Sequence, residues 1–238
     1  MSNYFELLQQ AVKSRGPSPL VTWISDIGRI ELSAATFANA VSKASNFLID
    51  GIELDEESSI AVELGNHWQS PVWLGTGLAT GIKVTDESDA TQFGNLAAAQ
   101  DWTGDAESFV VVSQDPFGMP DKDVPAGLIN GSAEVRNFGD YFVATWPTAP
   151  SDIVLSVAST DFTWEQLVAH SLKLANHHEI EPAQNYGLQG PADLITKMAL
   201  QVVLPVIQQN SIVLIDQVNP DLDAIKEQEK LKQIVVLS

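Results

Sequence analysis

The feature that most constrains this chain is the run of residues 28–84, where apolar spacing alternates between the strand and helix periods and reads as strand, helix, strand, helix, strand. Phe37, Val41, Ala44 and Leu48 recur at helical spacing and Gly51 closes that helix. Residues 60–64, Ile-Ala-Val-Glu-Leu, form a short apolar run suited to a buried parallel strand. Asn66 then offers a cap for a helix through Leu78, and Gly81 stands where a left-handed residue would end it before a strand at 82–85.

The pattern returns in weaker form over residues 162–215. Thr163 and Gln166 have capping-box spacing, with Phe162 and Leu167 placed to staple across it. Trp164, Leu167, Val168, Ser171, Leu174 and Ala175 share one helical face. A strand at 186–188, an apolar helix at 192–208 bent before Pro205, and a strand at 212–215 complete the unit. Thr36 can be laid over Thr163, Val41 over Val168, Ile60 over Tyr186 and Gly81 over Asn210. Two β-α-β-α-β units predict an α/β fold with two mostly parallel sheets, each covered by helices. The division expected is a first lobe at 1–146, a linker at 147–161 and a shorter second lobe at 162–238.

The flanking segments are simpler. Ser2 or Asn3 caps a first helix with Phe5, Leu8 and Val12 on one face, ended by Gly16-Pro17. Residues 20–24 and 29–32 alternate around Asp26-Ile27-Gly28 as a hairpin. Further expectations are a helix at 90–100, a strand at 109–113, a Pro/Gly-rich loop at 115–130, a short helix at 132–138 and a strand at 141–146. A helix at 222–230 and a strand at 234–237 end the chain.

Composition narrows the function classes. Twelve Lys and Arg against 31 Asp and Glu leave a formal charge of −19, which opposes nucleic acid and anionic membranes and also serves solubility. Cysteine is absent, so disulfides and thiolate-held metals are excluded. The amino terminus has no basic segment followed by an apolar run, and no window approaches the ~20 apolar residues of a membrane span. A cytoplasmic location is expected.

Particular residues carry a resemblance. Thr36-Phe-Ala-Asn-Ala-Val41, the run Ser59-Ile-Ala-Val-Glu-Leu64, Asn66-His-Trp-Gln-Ser-Pro-Val-Trp-Leu74 and Gly81-Ile-Lys-Val84 resemble the first lobe of the adenylate-forming superfamily of acyl-CoA synthetases, luciferases and peptide-synthetase adenylation domains. The second unit is similar to that superfamily's next lobe, and the chain also resembles a group of short actinobacterial proteins related to AMP-dependent ligases. The resemblance implies a loop rich in Ser, Thr and Gly, ending in Pro-Lys-Gly and holding the ATP phosphates, just before Thr163. What stands at residues 153–162 is IVLSVASTDF, without glycine, lysine or proline and with Asp161 in place of a cation. The superfamily's adenine, ribose and catalytic-lysine motifs are not found in the remaining residues. The expectation is a degenerate relative with no autonomous activity, no catalytic residue and no cofactor, since ATP, AMP or CoA would have to bind without a phosphate loop.

Binding is expected in the cleft between lobes, near His67, Ser156, Ser159, Thr160, Gln189 and Gly190, as the carboxyl ends of parallel strands favour. Two of these segments have a plainer reading: His67-Trp68-Gln69 as the first turn of a helix, and Gln189-Gly190-Pro191 as a structural turn. His170, His177 and His178 lie two turns apart on one helix and read as solvated rather than metal-binding, and Gly75-Thr-Gly77 as a helix-packing step rather than a phosphate loop. The occupant would be a small molecule or a protein partner, including a second copy as a homodimer. The competing expectation is a ligase subunit whose remaining motifs come from another chain.

Overall fold

The hairpin expected near the amino terminus forms, but it does not join the sheet of the unit that follows it. In the computed structural model, which describes residues 1–105 and 108–237, β1 (Pro19–Ser25) and β2 (Gly28–Ser33) pair antiparallel. Strand β1 then lies parallel to β11 (Ser211–Asp216), with Val21 opposite Ile212 and Ile24 opposite Ile215. The second unit does the converse. Strands β8 (Ile153–Val157) and β9 (Thr160–Thr163) form a hairpin, and β8 runs parallel to β4 (Lys83–Thr85), Leu155 opposite Val84. Each unit's hairpin therefore extends the other unit's sheet.

A five-stranded sheet has the order β12-β10-β11-β1-β2, with β10 at Asn185–Gln189 and β12 at Gln233–Val236. The seven-stranded sheet has the order β7-β6-β5-β3-β4-β8-β9, with β3 at Ser59–Glu63, β5 at Thr91–Gly94, β6 at Phe109–Val111 and β7 at Ile129–Asn130. Among the described residues, only the two hairpins pair antiparallel. The sheets do not divide the chain at 147–161: residues 153–157 of that segment are a strand inside the seven-stranded sheet, and residues 19–33 belong to the five-stranded one.

Between the sheets lie α1 (Tyr4–Arg15), α2 (Ala34–Asn46), α3 (Gln69–Thr80), α6 (Trp164–His177) and a helix over residues 194–207. They share one core, in which Leu8, Phe37, Phe47, Trp73, Trp164 and Met198 are buried. Trp164 meets Tyr4 edge-on at 6.4 Å and donates its Nε1 hydrogen to the Ser2 carbonyl at 3.0 Å. Close approach is purchased with glycine at two points of α3: a Cβ at Gly75 would come 2.7 Å from the Tyr4 hydroxyl oxygen, and one at Gly77 2.6 Å from Val84 Cγ2. Outside the sheets, α4 (Leu96–Gln100) covers Phe109 and Val111, and α9 (Leu222–Gln228) covers Val213 and Ile215. Among the described residues no helix is long and apolar enough to cross a membrane.

The helix over residues 194–207 runs as α7 (Leu194–Lys197), a π-helical turn at Met198–Val203 and α8 (Leu204–Ile207). Proline at 205 has no N–H to give the preceding turn, and the wider turn takes up the mismatch just upstream, where the bend was expected. The capping box at Thr163 and Gln166 is complete, with both reciprocal hydrogen bonds formed. The left-handed residue after α3 is Gly81, at φ +82.

Four expectations are corrected. Residues 90–100 are not one helix, because Asn95 caps at Ala98 N and the helix starts only at Leu96, after strand β5. Residues 141–146 alternate as a strand would, with Phe142 7% exposed between Tyr141 at 80% and Val143 at 63%, but they pair with no strand. Asn66 does not cap α3; its side chain reaches across to the second sheet instead. The overlay of the two units is also displaced by one helical turn. Ser33, not Thr36, is the cap equivalent to Thr163, and the buried positions Ala34, Phe37, Ala38, Val41 and Ser45 of α2 match Trp164, Leu167, Val168, Ser171 and Ala175 of α6. An apolar stripe repeats each turn, so periodicity alone does not say which turn comes first. At the far end the left-handed position is Gln209, at φ +57, while the Asn210 side chain donates to the Glu181 carbonyl at 2.7 Å.

Shared burial makes the halves interdependent. Trp164→Ala is expected to lower unfolding free energy by about 3–5 kcal/mol. In urea titrations the far-UV circular dichroism and tryptophan signals should shift together, whereas loss of one sheet with the other intact would contradict a common core.

Candidate functional site

The chain leaves β3 toward β4 and later returns to β5 on the other flank of β3, so the direction of winding reverses at β3. Residues just past such a strand open onto the crevice where α/β sheets bind ligands. Here those residues are Gly65, at φ +60, Asn66 and His67.

Across from them are the carboxyl ends of β10 and β11. Together they form a cleft of about 290 Å3, whose lining includes Asn66, Gln189, Gly190, Lys197, Asp216 and Gln217. Asn66 bridges the two sheets: its Nδ2 donates to the Gly190 carbonyl at 3.0 Å and its Oδ1 accepts from Gln201 Nε2 at 3.3 Å. Gln201 is 1% exposed, and its Oε1 has no partner. Gly190, at φ +95, lies so close to the Leu237 carbonyl that a Cβ would collide with it, while Leu237 N donates to the Gln189 carbonyl at 2.7 Å. The Gln189-Gly190 step is thus both a structural turn and a wall of the cleft.

Two charged groups face this space, Lys197 at the end of α7 and Asp216 at the end of β11. Burial pushes the Asp216 carboxyl upward, opposed by a hydrogen bond from Trp23 Nε1 at 3.3 Å and reinforced by nearby Asp26. The Trp23 ring meets the His67 imidazole edge-on at 4.6 Å. His67 is 1% exposed, behind the cleft rather than on its lining, with Nδ1 accepting from Gln69 N at 3.3 Å and Nε2 unpartnered. Burial lowers its pKa to about 4, and the charge of Asp115 only partly offsets this. At neutral pH it is an uncharged imidazole.

The remaining expected residues lie elsewhere. Ser156 is buried within β8, opposite Thr85, while Ser159 and Thr160 are exposed at the β8–β9 turn; none of the three lines the cleft. That turn is a closed two-residue hairpin between Val157 and Thr160, its central Ala158 and Ser159 both left-handed at φ +48 and +60. The amide of Ala158 donates to both carboxylate oxygens of Asp86, at 3.1 and 3.0 Å. A phosphate placed there would meet a carboxylate already holding the amide. No group of three or more His, Asp or Glu side chains able to hold a metal occurs among the described residues.

Sequence reasoning found Gln189 and Gly190 but missed Asn66, Lys197 and Asp216 as lining residues. Lys197 carried the one available signal, being one of only two Lys or Arg residues between Ser151 and Ile225. Asn66 was hidden by its resemblance to a helix cap.

Comparison with known proteins identifies the fold. An acyl-CoA synthetase from Brucella canis superposes at TM-score 0.78 with 11% identity, covering 99% of this chain and 52% of its own. An acetoacetyl-CoA synthetase from Streptomyces lividans gives 0.74 at 14% identity, covering 98% and 42%. A Mycobacterium tuberculosis fatty acyl CoA synthetase gives 0.67 at 12%, covering 96% and 48%. The fold is that of the N-terminal domain of acyl-CoA synthetases, and the chain spans about half the length of these structures. In sequence, a curated Mycobacterium tuberculosis protein, described as a TIGR03089 family protein, is 29% identical over 147 residues, which is 58% of this chain and 60% of that protein. No family model matches.

The histidine makes a testable contribution to acid sensitivity. Its folded pKa is depressed from 6.5 to about 4, so between those values the unfolded chain binds a proton that the folded chain refuses. Stability is therefore full above about pH 6.5 and falls as pH drops toward 4, by up to about 3 kcal/mol from this group. Urea unfolding at pH 7.5 and pH 5 should show a smaller acid loss in His67→Gln than in the parent, and equal losses would remove His67 as a cause.

Proposed function

We propose that this acyl-CoA synthetase-like domain is a non-adenylating module that binds a small polar molecule in the cleft at Asn66, Gln189, Gly190 and Lys197. The observation that carries the reading is the β8–β9 turn. Adenylate formation requires backbone amides and positive charge around the phosphates, yet the Ala158 amide is engaged by the Asp86 carboxylate. Residues 153–162 supply no lysine, arginine or glycine. A triphosphate at this turn would face an anion, with no cation beside it in the hairpin.

The cleft supports a ligand with an anionic group toward Lys197, a hydrogen-bond donor toward the Asp216 carboxyl and polar atoms toward Asn66 and Gln217. Its volume of about 290 Å3 lies near the lower end of small-molecule sites, which run from ~300 Å3, and so favours a compact polar acid over a nucleotide. Neither a cofactor nor autonomous catalysis is part of this reading. In a second reading this chain is a ligase subunit that works with another chain carrying the part of the synthetase fold it does not match.

Thermal-shift measurements with small carboxylic acids, ATP with Mg2+, AMP and CoA test the first reading. An acid at 100 times its dissociation constant should stabilise the protein by about 2.7 kcal/mol. Lys197→Ala should abolish that shift, and ATP should give none. Pyrophosphate exchange above background by the purified chain would overturn the proposal; exchange appearing only with a co-purifying chain would establish the subunit reading instead.

A further inference from the structure

We propose a second binding site, for a small aromatic monoanion, in the cavity enclosed by α2, α3, the turn at 115–118 and the short helix α5 (Gly131–Glu134) with the turn that follows it. The cavity measures about 180 Å3 and shares no lining residue with the cleft at Gln189 and Gly190. Its buried lining is apolar at Ala44, Val72 and Trp73 and polar at Gln69 and Ser132, where Gln69 Nε2 donates to the Ser113 carbonyl at 2.7 Å and Ser132 Oγ accepts from Ser113 N at 2.9 Å. Trp68 forms a side wall and is fixed in place, with Nε1 donating to the Pro116 carbonyl at 3.0 Å. Gly118, at φ +63, lies against the ring, and a Cβ there would come 3.2 Å from Trp68 Cζ2. Phe117 borders the mouth while 79% exposed, a large apolar side chain that an occupant would cover.

Charge selects the head group. The lining contains Lys43 and Arg136 and no acid, in a chain with 31 acids and 12 bases. Among the described residues neither cation is within salt-bridge distance of a carboxylate. Lys43 Nζ donates to the Phe138 carbonyl at 2.8 Å, and Arg136 Nη2 donates to the Gly118 carbonyl at 2.8 Å with Met119 Sδ at 3.4 Å. An ammonium has three hydrogens and a guanidinium five, so both keep donors for an anion. Two cations beside aromatic walls specify an anionic head on a flat body: the rings contribute area and offset stacking, the cations orientation. The volume is below that of drug-sized sites, which limits the body to about one fused ring pair.

Isothermal titration with naphthalene-2-sulfonate, and with the neutral 2-naphthalenemethanol, tests the site. The parent should bind the sulfonate saturably at one site, and at least tenfold tighter than the alcohol. Arg136→Gln should weaken the sulfonate at least tenfold while leaving the alcohol unchanged. Lys43→Gln repeats the test from the opposite element, with melting temperature checked for each variant. Ala40→Phe, which fills the cavity, should remove both ligands. Lys197→Gln should leave sulfonate binding intact, so this site and the cleft fail independently. Absence of saturable binding, equal affinity for sulfonate and alcohol, indifference to both charge variants, or loss in Lys197→Gln would each overturn the proposal.

Discussion

The architecture depends on two strand pairings between distant parts of the chain, β1 with β11 and β8 with β4. Each adds a hairpin from one unit to the sheet of the other, so neither sheet is complete without residues from both halves. Arg15 reinforces the first pairing. Its guanidinium donates to the carbonyls of Pro19, Gln209 and Asn210 and to the Ser211 hydroxyl, joining the ends of α1, β1 and β11. Burial lowers its pKa, but guanidinium remains charged at any physiological pH. The cleft follows from this geometry: its walls are the ends of β3 in one sheet and of β10 and β11 in the other, held together by Asn66.

Local elements were legible because local chemistry specifies them. Asn3 and Thr163 cap helices at the positions where their side chains reach a free amide, and Gly81 takes the left-handed conformation its place requires. The exchange of hairpins was not legible, since the same alternating residues of β1 would suit either sheet. Asn66 shows the same limit on a single side chain. Its type and position suit a cap, yet it is taken by Gly190 and Gln201, more than a hundred residues away in sequence.

The candidate site divides along that line. Gln189 and Gly190 were identifiable because they stand at the carboxyl end of a strand, whereas Asp86 reaches the turn only because β4 and β8 are neighbours. The absence of glycine and lysine around Ser156 could be read directly. That a carboxylate holds the turn's amide could not, because Asp86 and Ala158 belong to different halves of the chain. His67 is similar: its place after β3 marked it, but its neutrality comes from burial beside Trp23, contributed by the first hairpin.

The reciprocal hairpins bear on how such a chain could arise. A single hairpin-helix-strand-helix-strand unit would have an unpaired edge on its last strand and a hairpin with no sheet of its own. Two copies trading hairpins about a twofold axis would satisfy both edges at once, as in a domain-swapped dimer. In this chain that trade takes place within one molecule: covalent linkage replaces the concentration dependence of a dimer with a fixed local excess of the partner half. The two hairpin turns meet the opposite unit in opposite senses: the amide of Ala158 donates to the Asp86 carboxylate, whereas Asp26 offers its own carboxylate to the Val218 amide at 3.2 Å and leaves Ile27 exposed to water.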